Sequence, residues 1–441
     1  MPPASTHSHA GSSSDAVLER TYSKVTWRLL PLLFACYVVA SLDRVNVGFA
    51  KLQILSDLKL SQTVYGLGAG VFFIGYFIFE VPSNIILHKV GARRWIARIM
   101  VTWGILSSLT MFVASPLQFY TMRFLLGVAE AGFFPGIILY LTYWYPARRR
   151  ARITALFMTG IPVSGVIGGP LSGWIMQTFA GVNNWKGWQW LFALEGLPSV
   201  LLAITVLYFL DDNIRSAKWL TESDKVALEE AVAVDAIATK DPPLATVLRD
   251  RRLWILSLIY FCLVMGNYGV SFWLPTLIKA TGVKSPMDIG LLTTIPNATA
   301  AVAMVFAGRS ADKRNERRWH VAIPALFGGV GLAASAQYGN STVIAMIALT
   351  VATAGILSTL ALFWSLPTSV FGGAAAAAGI AFVNSIGNLA GFVSPYLVGF
   401  IADHTGSTKW GMCALACCLV VGALLTVTAV PAASSRAAEL K

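Results

Sequence analysis

Long apolar runs recur along the whole chain, and they constrain its fold more than any other feature. A transmembrane helix needs roughly 20 consecutive apolar residues. The runs are continuous rather than alternating, which favours helices over a β-barrel. Only 12% of the residues are charged, against about 25% in a soluble domain. We therefore predict an all-α membrane protein with twelve transmembrane helices, near residues 26–49, 62–87, 95–114, 117–143, 152–179, 187–210, 252–279, 288–310, 320–338, 341–366, 375–402 and 409–431.

A polar segment separates the sixth run from the seventh. Residues 211–252 number 42 and carry 16 charges. The string LTESDKVALEEAVAVDA predicts a surface amphipathic helix capped by Thr221, and Asp241-Pro242-Pro243 predicts an extended break after it. The chain is thus divided into a disordered tail, a six-helix half, a linker, a second six-helix half and a short tail, at residues 1–24, 25–210, 211–251, 252–431 and 432–441.

Lys and Arg residues are distributed unequally between the two sides of this layout. The tails, the 2–3, 4–5 and 8–9 loops and the linker carry 25 of the 33. Because cytoplasmic loops are enriched in Lys and Arg, both termini and the linker are predicted to be cytoplasmic, with the spans in the cytoplasmic (inner) membrane. This topology accounts for the net charge of +12 without a nucleic-acid partner. The opposite side carries six: Lys51, Lys59, Lys186, Lys279, Lys284 and Lys409.

A few ionisable residues lie within the apolar runs themselves. Such residues are costly in lipid, and they usually face the interior of the helix bundle or a water-filled path. They are therefore the first candidates for function. Two are basic and four are acidic: Arg44, Arg123, Asp43, Glu80, Glu130 and Glu195.

Sequence patterns typical of enzymes and ATP-driven pumps are absent. The chain contains no GxxxxGK[ST], HExxH or GxSxG string. The five cysteines lie in apolar runs with no CxxC spacing or nearby histidine, so neither a metal site nor a disulfide framework is indicated. We predict a protein that is not an enzyme and has no cofactor.

The two halves resemble repeats of one unit. HKVGARRW in the 2–3 loop and GRSADKRNERRW in the 8–9 loop are basic and occupy corresponding positions. Small residues recur every fourth position in the fifth run (165, 169 and 173) and in the eleventh (387, 391, 395 and 399). Such spacing allows helices to approach closely. Two similar halves joined by a linker suggest rocking around a central site.

Several segments together point to a family. They are SLDRVNVGFA in the first run, FEVPSN and GARRW around the second, RFLLGVAEAGFFPG in the fourth and WLFALEGLPS in the sixth. The 8–9 loop adds Gly308, Asp312 and Arg317-Arg318. In these segments the chain resembles the major facilitator superfamily and, within it, the anion:cation symporter family of organic-acid transporters. The resemblance implies alternating access, uptake of carboxylates coupled to protons, and a monomer.

The resemblance also implies roles for individual residues. Glu130 matches the proton-coupling acid of the fourth span, and Arg123 matches the arginine that supports it and is also predicted to bind substrate. The alternative is a static ion pair between the two that locks the fourth span. Asp43 matches a second proton-coupling residue, the alternative being a structural bond to Arg123 or to a hydroxyl group. Tyr76 and Asn384 match positions that line the substrate site. Where relatives commonly have tyrosine, this chain has Ser41, which leaves more room for a bulkier acid.

The remaining candidates follow from side-chain chemistry. The planar guanidinium of Arg44 suits a carboxylate, and the alternatives are permanent pairs with Asp43 or Glu130. Trp364 offers a ring for stacking on a substrate, or it simply packs. Glu80 is expected to pair with the basic 2–3 loop and so to stabilise one state of the gate.

Arg93 and Asp312, in the two basic loops, are expected to act in gating or structure. Glu195 is expected to accept a structural hydrogen bond. The predicted function is import of a small organic carboxylate by proton symport. The alternative is a drug or organic-ion:proton antiporter, which two buried arginines disfavour because arginines suit anions.

Overall fold

The computed structural model describes residues 8–236, 248–314, 316–370 and 373–430, which are predominantly helical. The α-helices follow in chain order: α1 (Ser8–Asp57), α2 (Gln62–Val90), α3 (Ala92–Leu109), α4 (Pro116–Glu130), α5 (Phe133–Thr142), α6 (Ala147–Met158), α7 (Gly160–Thr178), α8 (Gly187–Phe209), α9 (Glu222–Ala236), α10 (Arg251–Ala280), α11 (Pro286–Arg314), α12 (Arg318–Gln337), α13 (Thr342–Phe363), α14 (Ser365–Val370), α15 (Gly373–Thr405) and α16 (Lys409–Ala429).

Twelve helical segments within the described residues are long and apolar enough to cross a bilayer, which confirms the predicted all-α membrane fold. We number them spans 1 to 12. Spans 4, 5 and 10 each combine all or part of two α-helices. The spans are Leu18–Asp57, Gln62–Val90, Ala92–Phe112, Pro116–Thr142, Arg152–Thr178, Gly187–Phe209, Arg251–Ala280, Pro286–Arg314, Arg318–Gln337, Thr342–Pro367, Gly379–Thr405 and Lys409–Ala429.

The two six-span halves pack in corresponding ways. Span 3 packs against span 6 as span 9 packs against span 12, and span 2 packs against span 4 as span 8 packs against span 10. Between the halves, span 2 contacts span 11, span 5 contacts span 8, and span 1 contacts span 7. The contact pattern is that of a repeated unit, as the paired basic loops suggested.

The halves meet closely near the 1–2, 5–6, 7–8 and 11–12 loops, which together form what we call the 1–2 loop end. Gly66 of span 2 lies against the backbone of Pro395 in span 11, and Gly399 of span 11 lies against the backbone of Gln62. Gly169 of span 5 meets span 8 in the same way. A Cβ atom at these glycines would collide with the opposite helix, so the small-residue stripes permit closure of this end.

The first helix begins earlier than the sequence indicated. It starts at Ser8, so the disordered tail predicted for residues 1–24 is wrong for residues 8–24, and residues 1–7 lie outside the described part. The reason is tertiary contact: Tyr22 is buried and stacks on Tyr145, and the Thr21 hydroxyl donates to Asp224 of α9 at 2.6 Å. This hydrogen bond is the main cause that lowers the pKa of Asp224 to about 2.

The linker helix forms where the sequence predicted it. Thr221 Oγ1 accepts a hydrogen bond from the backbone N–H of Asp224 at 3.2 Å, so it caps α9 as expected. The predicted break at Asp241-Pro242-Pro243 and the tail at 432–441 lie outside the described residues.

Candidate functional site

An ion pair joins span 1 to span 4 in the first half. Arg44 Nε donates to Glu130 Oε1 at 3.1 Å, and Nη2 contacts the same oxygen. Glu130 is buried, whereas the Arg44 side chain is 17% exposed. The rings of Phe72 and Tyr76 lie 5.7 Å and 5.6 Å from Arg44 Cζ. Of the partners considered for Arg44, the structure therefore selects Glu130 and not Asp43.

Span 4 is interrupted immediately after Glu130. Helix α4 ends at Glu130, Ala131 is not helical, and Gly132 adopts a left-handed conformation with φ of 84° before α5 begins. A side chain at Gly132 would also collide with Ser83 of span 2. Glycine is therefore required here, and the break places Glu130 at a helix end facing Arg44.

Arg123 lies beside this pair without joining it. It is fully buried, its Nη2 is 3.5 Å from the carbonyl oxygen of Ala69, and its Cζ is 5.1 Å from the ring centroid of Phe72. Its Nε and Nη1 have no hydrogen-bond partner among the described residues. Phe72 therefore contacts both Arg44 and Arg123. A buried guanidinium with free donors is costly unless an anion reaches it.

Asp43 is held by neutral donors. Its carboxylate accepts hydrogen bonds from Trp103 Nε1 at 2.6 Å, Ser107 Oγ at 2.8 Å and Ser199 Oγ at 3.0 Å. Asn46 Nδ2 adds a longer one at 3.4 Å. These bonds tie span 1 to spans 3 and 6. The hydroxyl contact considered from the sequence is present, and no ion pair to Arg123 forms within the described residues.

Glu80 does not contact the basic loop as expected. Its Oε2 has no hydrogen-bond partner, and the ion pairs of the described residues do not include it. The physical reason is the depth of Glu80 in the membrane. Lys89 lies nine positions after Glu80 on α2, which is about 14 Å along the helix axis. The 2–3 loop is tied to the linker instead, since the backbone N–H of Arg93 donates to Asp212 at 2.9 Å.

The remaining acidic candidates, Glu195 and Asp312, each have a polar partner. Glu195 accepts a hydrogen bond from Ser172 Oγ at 2.7 Å, which joins span 6 to span 5. Asp312 forms an ion pair with Arg317 at 2.7 Å inside the 8–9 loop.

A cavity of about 130 Å³ lies between the two halves. Arg44 is the one charged side chain among the described residues that line it, and Ser41 lines it as well. Tyr76, Arg123, Trp364 and Asn384 are not among its lining residues. Trp364 packs on Tyr260, with ring centroids 4.8 Å apart. Several polar lining residues were not predicted as site residues, although each is a polar position in an apolar span: Tyr37, Ser164, Asn267, Tyr268 and Asn297.

Lys51 lies within span 1, although the charge count made from the sequence had placed it outside the spans. Helix α1 continues to Asp57, and Lys51 is 1% exposed within it. The buried basic residues of the described chain are thus Arg123 and Lys51, with Arg44 partly exposed. The signal that was overlooked is its spacing of seven residues from Arg44.

The sequence matches a family model described as the Major Facilitator Superfamily over residues 33–395. The chain belongs to the Major Facilitator Superfamily. This superfamily member is 48% identical over 425 residues to NicT of Pseudomonas putida, described as a candidate metabolite transport protein, with 96% of this chain and 97% of the relative covered. It is 47% identical over 410 residues to a candidate tartrate transporter of Agrobacterium vitis, with 92% and 91% covered.

One further relative and one solved structure are also similar to this chain. A quinolone resistance transporter of Acinetobacter baumannii is 41% identical over 405 residues, with 91% of this chain and 93% of the relative covered. A crystal structure of a bacterial homologue of the human lysosomal transporter Spinster superimposes with a TM-score of 0.74 at 17% identity, with 90% and 95% covered. The predicted twelve-span fold and family are confirmed. The protein is a multi-pass membrane transporter of a small molecule and not an enzyme.

Proposed function

We propose that this transporter imports a small organic carboxylate together with protons by alternating access. The observation that carries the proposal is the placement of Arg44, which lines the cavity between the halves and has a buried carboxylate, Glu130, as its counter-ion. A guanidinium suits a carboxylate ligand. The tartrate transporter relatives support an organic acid as the substrate.

Coupling of substrate to protons follows because the substrate carboxylate and Glu130 compete for the guanidinium of Arg44. A substrate carboxylate that binds Arg44 displaces Glu130 from it. A buried carboxylate without a counter-ion is costly and is neutralised by taking up a proton. Release of the substrate returns Arg44 to Glu130, which then loses its proton to the other side. Arg123, which has free donors beside Phe72, stabilises the charges during this exchange. Protons are the coupling ion, and no cofactor takes part.

Orientation follows from the charge distribution, with both termini and the linker in the cytoplasm of the cell and the spans in its inner membrane. The 1–2 loop end then faces outward, and the described conformation is closed on that side. We expect the monomer to be the transporting unit.

Closure of the 1–2 loop end is expected to be essential for transport. Gly66→Ala places a Cβ against the Pro395 backbone, so spans 2 and 11 cannot approach as they do here. Uptake should fall at least about tenfold without loss of folding, because the collision exists only in the closed state. Initial uptake rates and melting temperatures measure this. Gly339→Ala is the control, since its Cβ would have Ser335 O as its nearest neighbour at 3.6 Å. Normal uptake by Gly66→Ala would contradict the proposed cycle.

Asp43 is expected to carry a second proton. A monoanion moving with two protons carries one net positive charge, and an inside-negative potential contributes about 2.3 kcal/mol per charge per 100 mV. Uptake of a monocarboxylate substrate, rather than of the tartrate dianion, should therefore rise at matched pH when that potential is imposed with valinomycin, and Asp43→Asn should lose this response. Ser107→Ala removes one donor to Asp43 but no titratable group, so it should keep the response. An unchanged response in Asp43→Asn would leave Asp43 a structural residue.

The second candidate function is a drug:proton antiporter, which the quinolone resistance relative supports. Counterflow in proteoliposomes separates the two. Liposomes loaded with unlabelled tartrate should take up labelled tartrate, and the uptake should be competed by other carboxylates. Competition by organic cations, without any by carboxylates, would favour the antiporter.

A further inference from the structure

Lys51 is a buried lysine for which the proposed cycle has no use. Its Nζ lies 2.8 Å from the ring centroid of Trp273 and 4.8 Å from that of Tyr65. It has no hydrogen-bond partner among the described residues, and its side chain is almost completely buried. Trp273 belongs to span 7 in the second half, whereas Lys51 and Tyr65 belong to the first. The ammonium group therefore bridges the halves through a ring at the closed 1–2 loop end.

Neighbouring acids do not account for this charge. Asp403 of span 11 accepts hydrogen bonds from the backbone N–H groups of Gln62 at 3.0 Å and Thr63 at 2.7 Å, which cap span 2. No ion pair between Asp403 and Lys51 occurs in the described chain. An ammonium group that leaves water and gains only aromatic faces loses its hydrogen bonds. An apolar side chain would fill the same space at lower cost, so the charge points to a partner that is present in another conformation.

The position of Lys51 relative to Arg44 suggests that partner. The two residues are seven apart on the continuous helix α1, which is two turns on one face and about 10.5 Å along the axis. Gly48 lies between them, and a Cβ atom at Gly48 would lie 3.1 Å from the carbonyl oxygen of Phe272. A solute that passes from the 1–2 loop end towards the cavity therefore meets Lys51 before Arg44.

We propose that Lys51 is a second anion-binding site, which binds the carboxylate of incoming substrate when the halves separate at the 1–2 loop end. Separation carries Trp273 away with the second half and leaves the ammonium group free in water. The ring and the carboxylate compete for the same ammonium group, so this end closes only after the substrate has moved on to Arg44. The inference rests on the proposed function in taking the substrate to be a carboxylate.

Transport kinetics measured separately from each side of the membrane test this site. In proteoliposomes of uniform orientation, Lys51→Met should raise the KM for labelled tartrate from the 1–2 loop side by about tenfold, with kcat much less affected, because a charged contact is lost before the transport step. The KM from the linker side should not change. Lys51→Arg should restore most of the affinity, because it keeps the charge and stacks on tryptophan.

The matched control is Lys279→Met. Lys279 is an exposed lysine of span 7 at the same end, whose Nζ donates to Leu52 O at 3.1 Å. Its replacement removes the same charge from the same end and should leave both KM values unchanged. An equal rise of KM from both sides in Lys51→Met, or no rise from either, would overturn the proposal.

A measurement on the unaltered protein keeps the test valid if Lys51→Met does not fold. A membrane-impermeant amine-acylating reagent added on the 1–2 loop side should label Lys51, as mapped by peptide mass spectrometry, and saturating tartrate should protect it. Absence of label, or label insensitive to tartrate while Lys279 reacts, would overturn the proposal. Failure of the proposed function looks different, since the wild-type protein would then show no tartrate counterflow at all.

Discussion

Arg44→Ala is expected to reduce carboxylate uptake at least about a hundredfold, equivalent to roughly 2.7 kcal/mol. The substitution removes the one charged group among the described residues lining the cavity. Hydrogen bonds to charged groups are worth about 1.5–3 kcal/mol, and a bidentate contact contains two. Arg44→Lys should recover little, because the ammonium lacks the planar fork. Counterflow of labelled tartrate measures the loss.

The control for this substitution is Arg98→Ala in span 3 of the same half. Arg98 stacks on Trp95, with Cζ 3.9 Å from the ring centroid, and it does not line the cavity. Its removal should leave counterflow intact. Near-normal counterflow by Arg44→Ala would remove Arg44 from the substrate site and leave its pair with Glu130 a purely structural contact.

Glu130→Gln is expected to abolish accumulation of substrate against its gradient while exchange continues. The amide cannot take up or release a proton, so the binding of substrate to Arg44 no longer drives proton uptake. The proton assigned to Asp43 does not replace this link, because Asp43 forms no ion pair with Arg44 in the described residues. Exchange of internal for external substrate needs no net proton movement, and glutamine leaves Arg44 free for the carboxylate. Accumulation under an imposed pH gradient should fall to the equilibrium level, and the exchange rate should stay within a few fold of the wild-type rate.

Glu195→Gln provides the matched comparison, because Glu195 is an equally buried acid that bonds to Ser172 and has no arginine partner in the described residues. It should accumulate substrate normally. Continued accumulation by Glu130→Gln would assign coupling to another group.

The span layout was predictable because lipid imposes a simple rule on composition. Apolar runs of sufficient length located all twelve spans, and their glycine stripes lie where the halves meet. The first helix illustrates the limit of this rule. Its continuation to Asp57 and its helical turns around Thr21 are accompanied by contacts with span 7 and the linker helix, which no local pattern encodes.

The individual residues of the candidate site could be predicted from the sequence, but the contacts between them could not. Ionisable groups in apolar runs marked Asp43, Arg44 and Glu130, because their cost in lipid is visible in the sequence. Their pairing was not visible, since Arg44 had three possible partners and only the packing of span 1 on span 4 selects Glu130. Glu80 was predicted to pair with the basic 2–3 loop because it is close to that loop in sequence. The rise of the helix keeps the two apart, and the pair does not form in the described residues.

Carboxylate and protons are proposed to cross the membrane in one coupled step, which changes the pH inside a closed vesicle. Wild-type protein is reconstituted in liposomes containing pyranine, and tartrate is added outside without any imposed gradient of pH or Na⁺. Coupled transport predicts acidification of the interior that depends on tartrate, saturates with it, and disappears in Glu130→Gln. Uptake of labelled tartrate with no change of internal pH, or uptake that requires Na⁺ at constant pH, would contradict it.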